Sequence, residues 1–219
     1  MGSRKTKGKR RGTTPTDEQF SAYEGAFNYF NQILFEGQLA PLMLNFSRRA
    51  NSRGFYFPEA WRRGKDQAVA ELSLNPDVLD RPPRDSLSTL VHEMVHHWQF
   101  SHGIPSRRGY HNKEWAAKMM EVGLHPSHTG EPGGDTVGQH MTHYIVEGGP
   151  FDRAFLAIPP EILLPWTSAG GTQEAKKKKQ KTRQKTAYAC PGCEAKVWGK
   201  PDLFILCGHC EERLEEETV

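Results

Sequence analysis

The sequence predicts an α+β fold, a small sheet packed on helices, followed by a compact module organised by cysteines. Three observations carry this. Apolar residues recur at helical intervals in three separate segments, around 20–34, 87–98 and 112–122. Between the first two lie three short stretches in which apolar residues alternate with polar ones. All four cysteines fall between positions 190 and 210, as two C-x-x-C pairs.

The first helix is announced by Thr16 followed by Gln19, a capping-box spacing. Its apolar stripe is Phe20, Tyr23, Phe27, Phe30 and Leu34, which reads as core, and Gly37 is the expected stop. Leu42, Leu44 and Phe46 predict a strand, as do Gly54-Phe55-Tyr56-Phe57 and Ala70, Leu72 and Leu74. Asn75-Pro76 and Pro82-Pro83 then break the chain. Asp85 or Ser86 is the expected cap of the next helix, whose apolar face is Leu87, Leu90, Val91, Met94, Val95 and Trp98. Residues 101–109 read as a loop, and residues 112–122 as a helix with Gly123 behind it. Residues 124–171 are rich in Gly and Pro and predict irregular structure, with a strand near His143 to Val146.

Charge is distributed unevenly. Residues 1–14 carry six Lys/Arg and no acid. A second run holds Lys176, Lys177, Lys178, Lys179, Lys181, Arg183 and Lys185, again with no acid. The remaining 16 basic residues face 26 acidic ones, so the folded parts are acidic and the basic charge sits on flexible segments. Such runs can bind phosphate without any fold, which makes the 176–185 run a candidate nucleic-acid contact. No apolar run approaches the roughly 18 residues of a membrane span, and no apolar stretch follows the basic start, so a cytoplasmic protein is expected. The expected organisation is a basic arm (1–14), a main domain (15–171), a Lys-rich linker (172–186), a cysteine module (187–213) and an acidic tail (214–219).

The chemistry is concentrated in His92-Glu93-Met94-Val95-His96. Residues four apart share a helix face, so His92 and His96 can reach one Zn²⁺. Glu93 lies beside that face and is placed to act as general base on the water that zinc activates. A catalytic zinc takes a third protein ligand. His102 stands six residues after His96, the spacing of the longer H-E-x-x-H-x-x-G-x-x-H pattern. There a Gly lets the chain turn back, and here that position is Gln99, a good helix former. If the helix continues, His102 is carried about 9 Å beyond His96. His111 follows a Gly/Pro-containing loop and is the geometrically favoured ligand. His97 points away from the pair, and His140 and His143 read as structural or as walls of the site. Tyr110 or Tyr144 could donate to an oxyanion.

The pairs Cys190/Cys193 and Cys207/Cys210, thirteen residues apart, predict a zinc ribbon. Four thiolates leave no open position, so this zinc is structural, and it supplies the folding energy that so small a core cannot. Two disulfides are the alternative, and the expected compartment disfavours them.

Several of these parts, in order, resemble the SprT-like (Spartan-like) zinc metallopeptidases. They are the helix ending Phe-Asn-Tyr-Phe-Asn-Gln-Ile-Leu-Phe-Glu-Gly-Gln-Leu (27–39), the strand Ala-Glu-Leu-Ser-Leu (70–74) before Pro76, and Leu-Val-His-Glu-Met-Val-His (90–96). Gly109-Tyr110-His111 with Glu114 and Trp115 completes the set. The resemblance implies a zincin-like domain, a third ligand placed like His111, and substrates that are DNA-associated or DNA-crosslinked proteins. It also implies that the ribbon and basic segments serve DNA. Tyr110-His111-Asn112 departs from the Gly-His-Gly often found in the family. The competing expectations are a binding protein that keeps the fold without proteolysis, and a zinc hydrolase acting on something other than peptides.

Overall fold

A computed structural model describes residues 13–65, 67–168 and 186–217, and the chain divides into two compact units, Met1–Ala169 and Gly170–Val219. Most of the basic arm and the whole 176–185 run lie outside the described residues.

In the first unit, α1 spans Pro15–Leu34. Its cap is Thr14 rather than Thr16. The Thr14 hydroxyl accepts from the Asp17 N–H, the Asp17 carboxylate accepts from the Thr14 N–H, and Pro15 fills the first turn. Tyr23, Phe27, Phe30 and Leu34 are buried as the stripe predicts, whereas Phe20 lies at its exposed margin. The strands β1 (Met43–Phe46), β2 (Gly54–Arg63) and β3 (Gln67–Leu74) form one sheet in the order β1-β3-β2. β1 runs parallel to β3 and β2 antiparallel, with a bulge between Phe57 and Trp61. β2 is thus an edge strand, and it lies against the long helix α2 (Pro83–His102).

α2 has no side-chain cap at Pro82. It starts on Pro83, whose missing N–H costs nothing in a first turn, so neither Asp85 nor Ser86 caps it. Every residue from Ser86 to Val95 is buried, which makes α2 the axis of the unit rather than a half-exposed surface helix. Its apolar side chains join Tyr23, Phe30, Leu72, Leu74, Trp115 and Met119 in one core.

Beyond α2 come β4 (Tyr110–His111), α3 (Lys113–Glu121), β5 (Leu124–Ser127), β6 (Gly138–Gln139) and β7 (Thr142–Ile145). β4 pairs with β6 and β5 with β7, both antiparallel. The stretch expected to be irregular also contains a helix, α4 (Pro150–Leu156). Phe151 on α4 is fully buried and stacks on Phe30 with centroids 5.5 Å apart. Seven residues give a helical period little room to show, and tertiary packing on α1 supplies the stability. The Arg84 guanidinium bonds the Asp152 carboxylate at 2.6 Å, and the Gly148 N–H donates to the same carboxylate at 2.8 Å, so the start of α4 is tied to the first turn of α2.

The second unit is a three-stranded sheet in the order β10-β8-β9, formed by β8 (Thr186–Ala189), β9 (Lys196–Gly199) and β10 (Glu215–Glu216). It extends beyond the expected boundary at 213. Leu214 is buried, and Glu215 and Glu216 pair with β8 instead of forming a free tail. Tyr188 is its central side chain. The Tyr188 hydroxyl donates to the Lys200 carbonyl and accepts from the Leu203 N–H at 3.0 Å. Among the described residues no helix is long and apolar enough to cross a membrane.

Candidate metal centre

His92 and His96 share one face of α2, with ring centroids 5.2 Å apart. His111 arrives from β4, and its Nε2 lies 3.1 Å from His96 Nε2. One ligand nitrogen from each of His92, His96 and His111 falls within 4.8 Å of the others. His102 is not among them. It ends α2, is exposed, and its Nε2 donates to the Gln38 carbonyl at 3.2 Å. Gln99 therefore does keep the helix going past the point where a glycine would end it.

The turn that returns the chain to His111 is built from side-chain bonds. Gln99 Nε2 donates to Asn112 Oδ1 at 2.7 Å and to Glu114 Oε2 at 2.8 Å. The same Glu114 oxygen accepts the Ile104 N–H at 2.8 Å, and Asn112 Nδ2 donates to the Ile104 carbonyl at 3.1 Å. Asn112 Oδ1 also caps α3 by accepting from the Trp115 N–H. Asn112, the local departure from Gly-His-Gly, thus holds three strands of chain together, which a glycine could not do. His111 Nδ1 lies 3.2 Å from the Gly138 carbonyl and can only donate to it, leaving Nε2 with its lone pair directed at His96.

Burial decides the charge state of this cluster. Removal from water lowers His92, His96 and His111 below the ordinary histidine range, and the neighbouring imidazoles push His92 and His96 further; His96 falls to about 3. Neutral imidazoles with free lone pairs are the form in which histidine binds a divalent cation, so this donor set fits zinc. Trp115 forms the inner wall. Its ring is 4.3 Å from His111, 5.0 Å from His92 and 5.3 Å from His96, and it is stacked on the last.

Glu93 is one residue round the helix and 6% exposed. Burial raises its carboxyl to about 8, against the pull of Arg49 and of a hydrogen bond from the Tyr56 backbone. A positive charge held by the three histidines opposes that rise and favours the carboxylate. Gly54 on β2 makes room for it: a Cβ there would stand 3.2 Å from Glu93 Cγ and Oε1 and 3.0 Å from the Ser73 carbonyl.

Several histidines and tyrosines fall elsewhere. His97 is buried, donates from Nε2 to the Ala40 carbonyl at 2.9 Å, and accepts from the Tyr56 hydroxyl. Tyr144 stacks on His125 and Tyr110 lies under Arg107. His140 is exposed at the turn before β7. His143 is different: its Nδ1 lies 3.1 Å from His92 Nδ1. Sequence spacing gives no sign of this contact, because residues 92 and 143 meet only through the β5–β7 pairing.

In the second unit the four cysteines are free thiols rather than disulfides, and their Sγ atoms lie within 4.8 Å of one another. The two C-x-x-C turns repeat one design. Glu194 N–H returns to the Cys190 carbonyl and Glu211 N–H to the Cys207 carbonyl, with Glu194 and Glu211 both at positive φ. Backbone N–H groups of Cys210 and His209 lower the Cys207 thiol to about 6, towards the thiolate that a metal needs. The group can bind a zinc ion.

No curated protein and no solved structure matches the chain. The family model described as SprT-like family matches residues 23–132. That span covers half of the chain and contains α1 from Tyr23 onward, the three-stranded sheet, α2 with His92, Glu93 and His96, and the returning His111. By this match the chain belongs to the SprT-like family, and its first unit is a metallopeptidase-type domain.

Proposed function

We propose that the protein is a cytoplasmic zinc-dependent peptidase acting on DNA-associated or DNA-crosslinked proteins, with His92, His96 and His111 as the ligands and Glu93 as general base. The observation that carries it is the meeting of three neutral histidine donors from two elements with one buried carboxylate beside them. Zinc held by His92, His96 and His111 would supply Lewis acidity for the scissile carbonyl and the attacking water. Glu93 takes the proton from that water and delivers it to the leaving amine. Burial of the ligands excludes bulk water, so the carboxylate acts in a medium where its charge counts for more.

The DNA part of the proposal rests on charge. Lys176–Lys179, Lys181, Arg183 and Lys185 supply seven cations without an acid. Residues 186–217 hold seven acids and three bases, so phosphate contacts belong to the lysine run rather than to the ribbon surface. Around the first unit, Arg49 lies over Phe55, Arg107 over Tyr110 and Arg108 over Phe57, pairings that suit phosphate and base together. The ribbon carries the second, structural zinc on Cys190, Cys193, Cys207 and Cys210.

The test is metal analysis together with cleavage of a DNA-bound protein by wild type and Glu93→Gln, with and without DNA. Two zinc ions per chain in both proteins and cleavage by wild type alone are expected. Cleavage by Glu93→Gln rejects the mechanism. Full zinc with no turnover by wild type on any protein, with or without DNA, leaves a binding protein on the peptidase fold.

A further inference from the structure

The proposed centre leaves the half-buried imidazole of His143 unused. His143, on β7, packs against His92 with ring centroids 5.3 Å apart. His143 Nδ1 is 3.1 Å from His92 Nδ1, and His143 Nε2 is 2.9 Å from the Ser88 hydroxyl. Ser88 stands one turn before His92 on α2, is 4% exposed, and donates its single proton to the Asp85 carbonyl at 2.9 Å.

The direction of each bond then follows. A carbonyl cannot donate, so the Ser88 proton points at Asp85 and Ser88 Oγ is left as an acceptor. His143 Nε2 must carry the proton it gives to Ser88. An imidazole in its neutral form has only one, so once Nε2 bonds Ser88 its Nδ1 faces His92 Nδ1 as an acceptor. His92 Nδ1 is therefore the donor to His143, and the His92 lone pair is confined to Nε2. We infer that His143, with Ser88 and the Asp85 carbonyl behind it, is a positioning residue that locks His92 in the tautomer and ring orientation required of a metal ligand.

The outer bond of a ligating histidine commonly goes to a carboxylate or a backbone carbonyl. His111 follows that usage with Gly138, and His92 uses a second imidazole. A neutral acceptor adds no negative charge behind the metal, so the ligand is oriented without the gain in basicity that a carboxylate gives. Breaking the support is expected to lower metal affinity 10- to 100-fold.

This inference rests on the three-histidine reading, and the experiment separates the two. Zinc affinity is measured on the full chain by chelator competition, with the doubly substituted His92→Ala/His96→Ala chain giving the background from the cysteines. Long-range ¹⁵N correlation of the imidazoles in metal-free protein reports the His92 tautomer. His143→Leu is expected to bind zinc at the histidines 10- to 100-fold more weakly and to lose the single His92 tautomer. His143→Gln, which can both accept and donate, is expected to recover most of the affinity. Ser88→Ala is expected to weaken binding too, and to add little in the His143→Leu background. Wild-type affinity in His143→Leu, no recovery in His143→Gln, or a proton on His92 Nε2 in wild type overturns the assignment. A doubly substituted chain that holds as much zinc as wild type overturns the metal centre itself.

Discussion

Trp115 is the residue on which fold and site depend together. It is fully buried, and its ring lies within 4.3–5.3 Å of all three histidine rings. Truncating a buried Trp to Ala costs about 3–5 kcal/mol in lost transfer energy and residual cavity. A unit of this size shifts its melting temperature by about 2–4 °C per kcal/mol, so Trp115→Ala is expected to lower Tm by roughly 6–20 °C. The indole Nε1 has no hydrogen-bond partner among the described residues. Leaving such a group buried costs about 1–3 kcal/mol, which Trp115→Phe recovers while losing one ring's volume. Trp115→Phe is therefore expected to cost no more than about half of what Trp115→Ala does. The assay is thermal unfolding by circular dichroism, in chelator and in excess zinc. The rise in Tm on adding zinc should shrink in Trp115→Ala, because the wall that aligns the imidazoles has gone. A wild-type Tm for Trp115→Ala would refute the packing account. Equal losses for Phe and Ala would show that the indole N–H is satisfied after all.

Other outcomes follow from single contacts. Gly54→Ala places a Cβ 3.2 Å from the Glu93 carboxylate, so zinc content should hold while kcat falls roughly 10-fold, since sub-ångström displacement of a base is costly. The Gly148 N–H and the Arg84 guanidinium hold Asp152 below the ordinary carboxylate range. Its contribution is thus present above about pH 3.9 and lost as pH falls through the lowered value, so wild type and Asp152→Asn should differ in stability at pH 7 and converge in strong acid. Cys207→Ser should remove one zinc and collapse the NMR dispersion of Tyr188 and Leu214.

The elements that position the site were largely legible, because each is long or strongly periodic. The buried stripe of α1, the alternation in β1 and β3, and the apolar run through α2 are direct consequences of one face or one axis being taken out of water. His92, Glu93, His96 and His111 were legible as a group because a helix repeat and a loop are enough to bring them together. What escaped was set by tertiary contact. Thr14 caps α1 because Pro15 can begin a helix where Thr16 cannot also be its boundary. α4 is too short to show a period. His143 reaches His92 and Ser88 across fifty residues of sequence and Gly54 reaches Glu93 from β2, and no local pattern records such a meeting. Asn112 was visible as a departure from the family pattern, but its role needs Gln99 and Ile104 in view.

The return of His111 has a further consequence in chain statistics. Fourteen residues, 97–110, separate His96 from His111; the first six still belong to α2, and the last enters the two-residue ladder between β4 and β6. An ion bound by both histidines closes this segment into a loop as a covalent cross-link does. For a disulfide the same span would reduce the freedom of the unfolded chain by about 3 kcal/mol. Metal loss should then be read first not in the helix but in residues 103–110, as quickened amide exchange and new protease cuts at Arg107 and Arg108. The ion that equips the centre for chemistry would also be the rivet that keeps its rim shut.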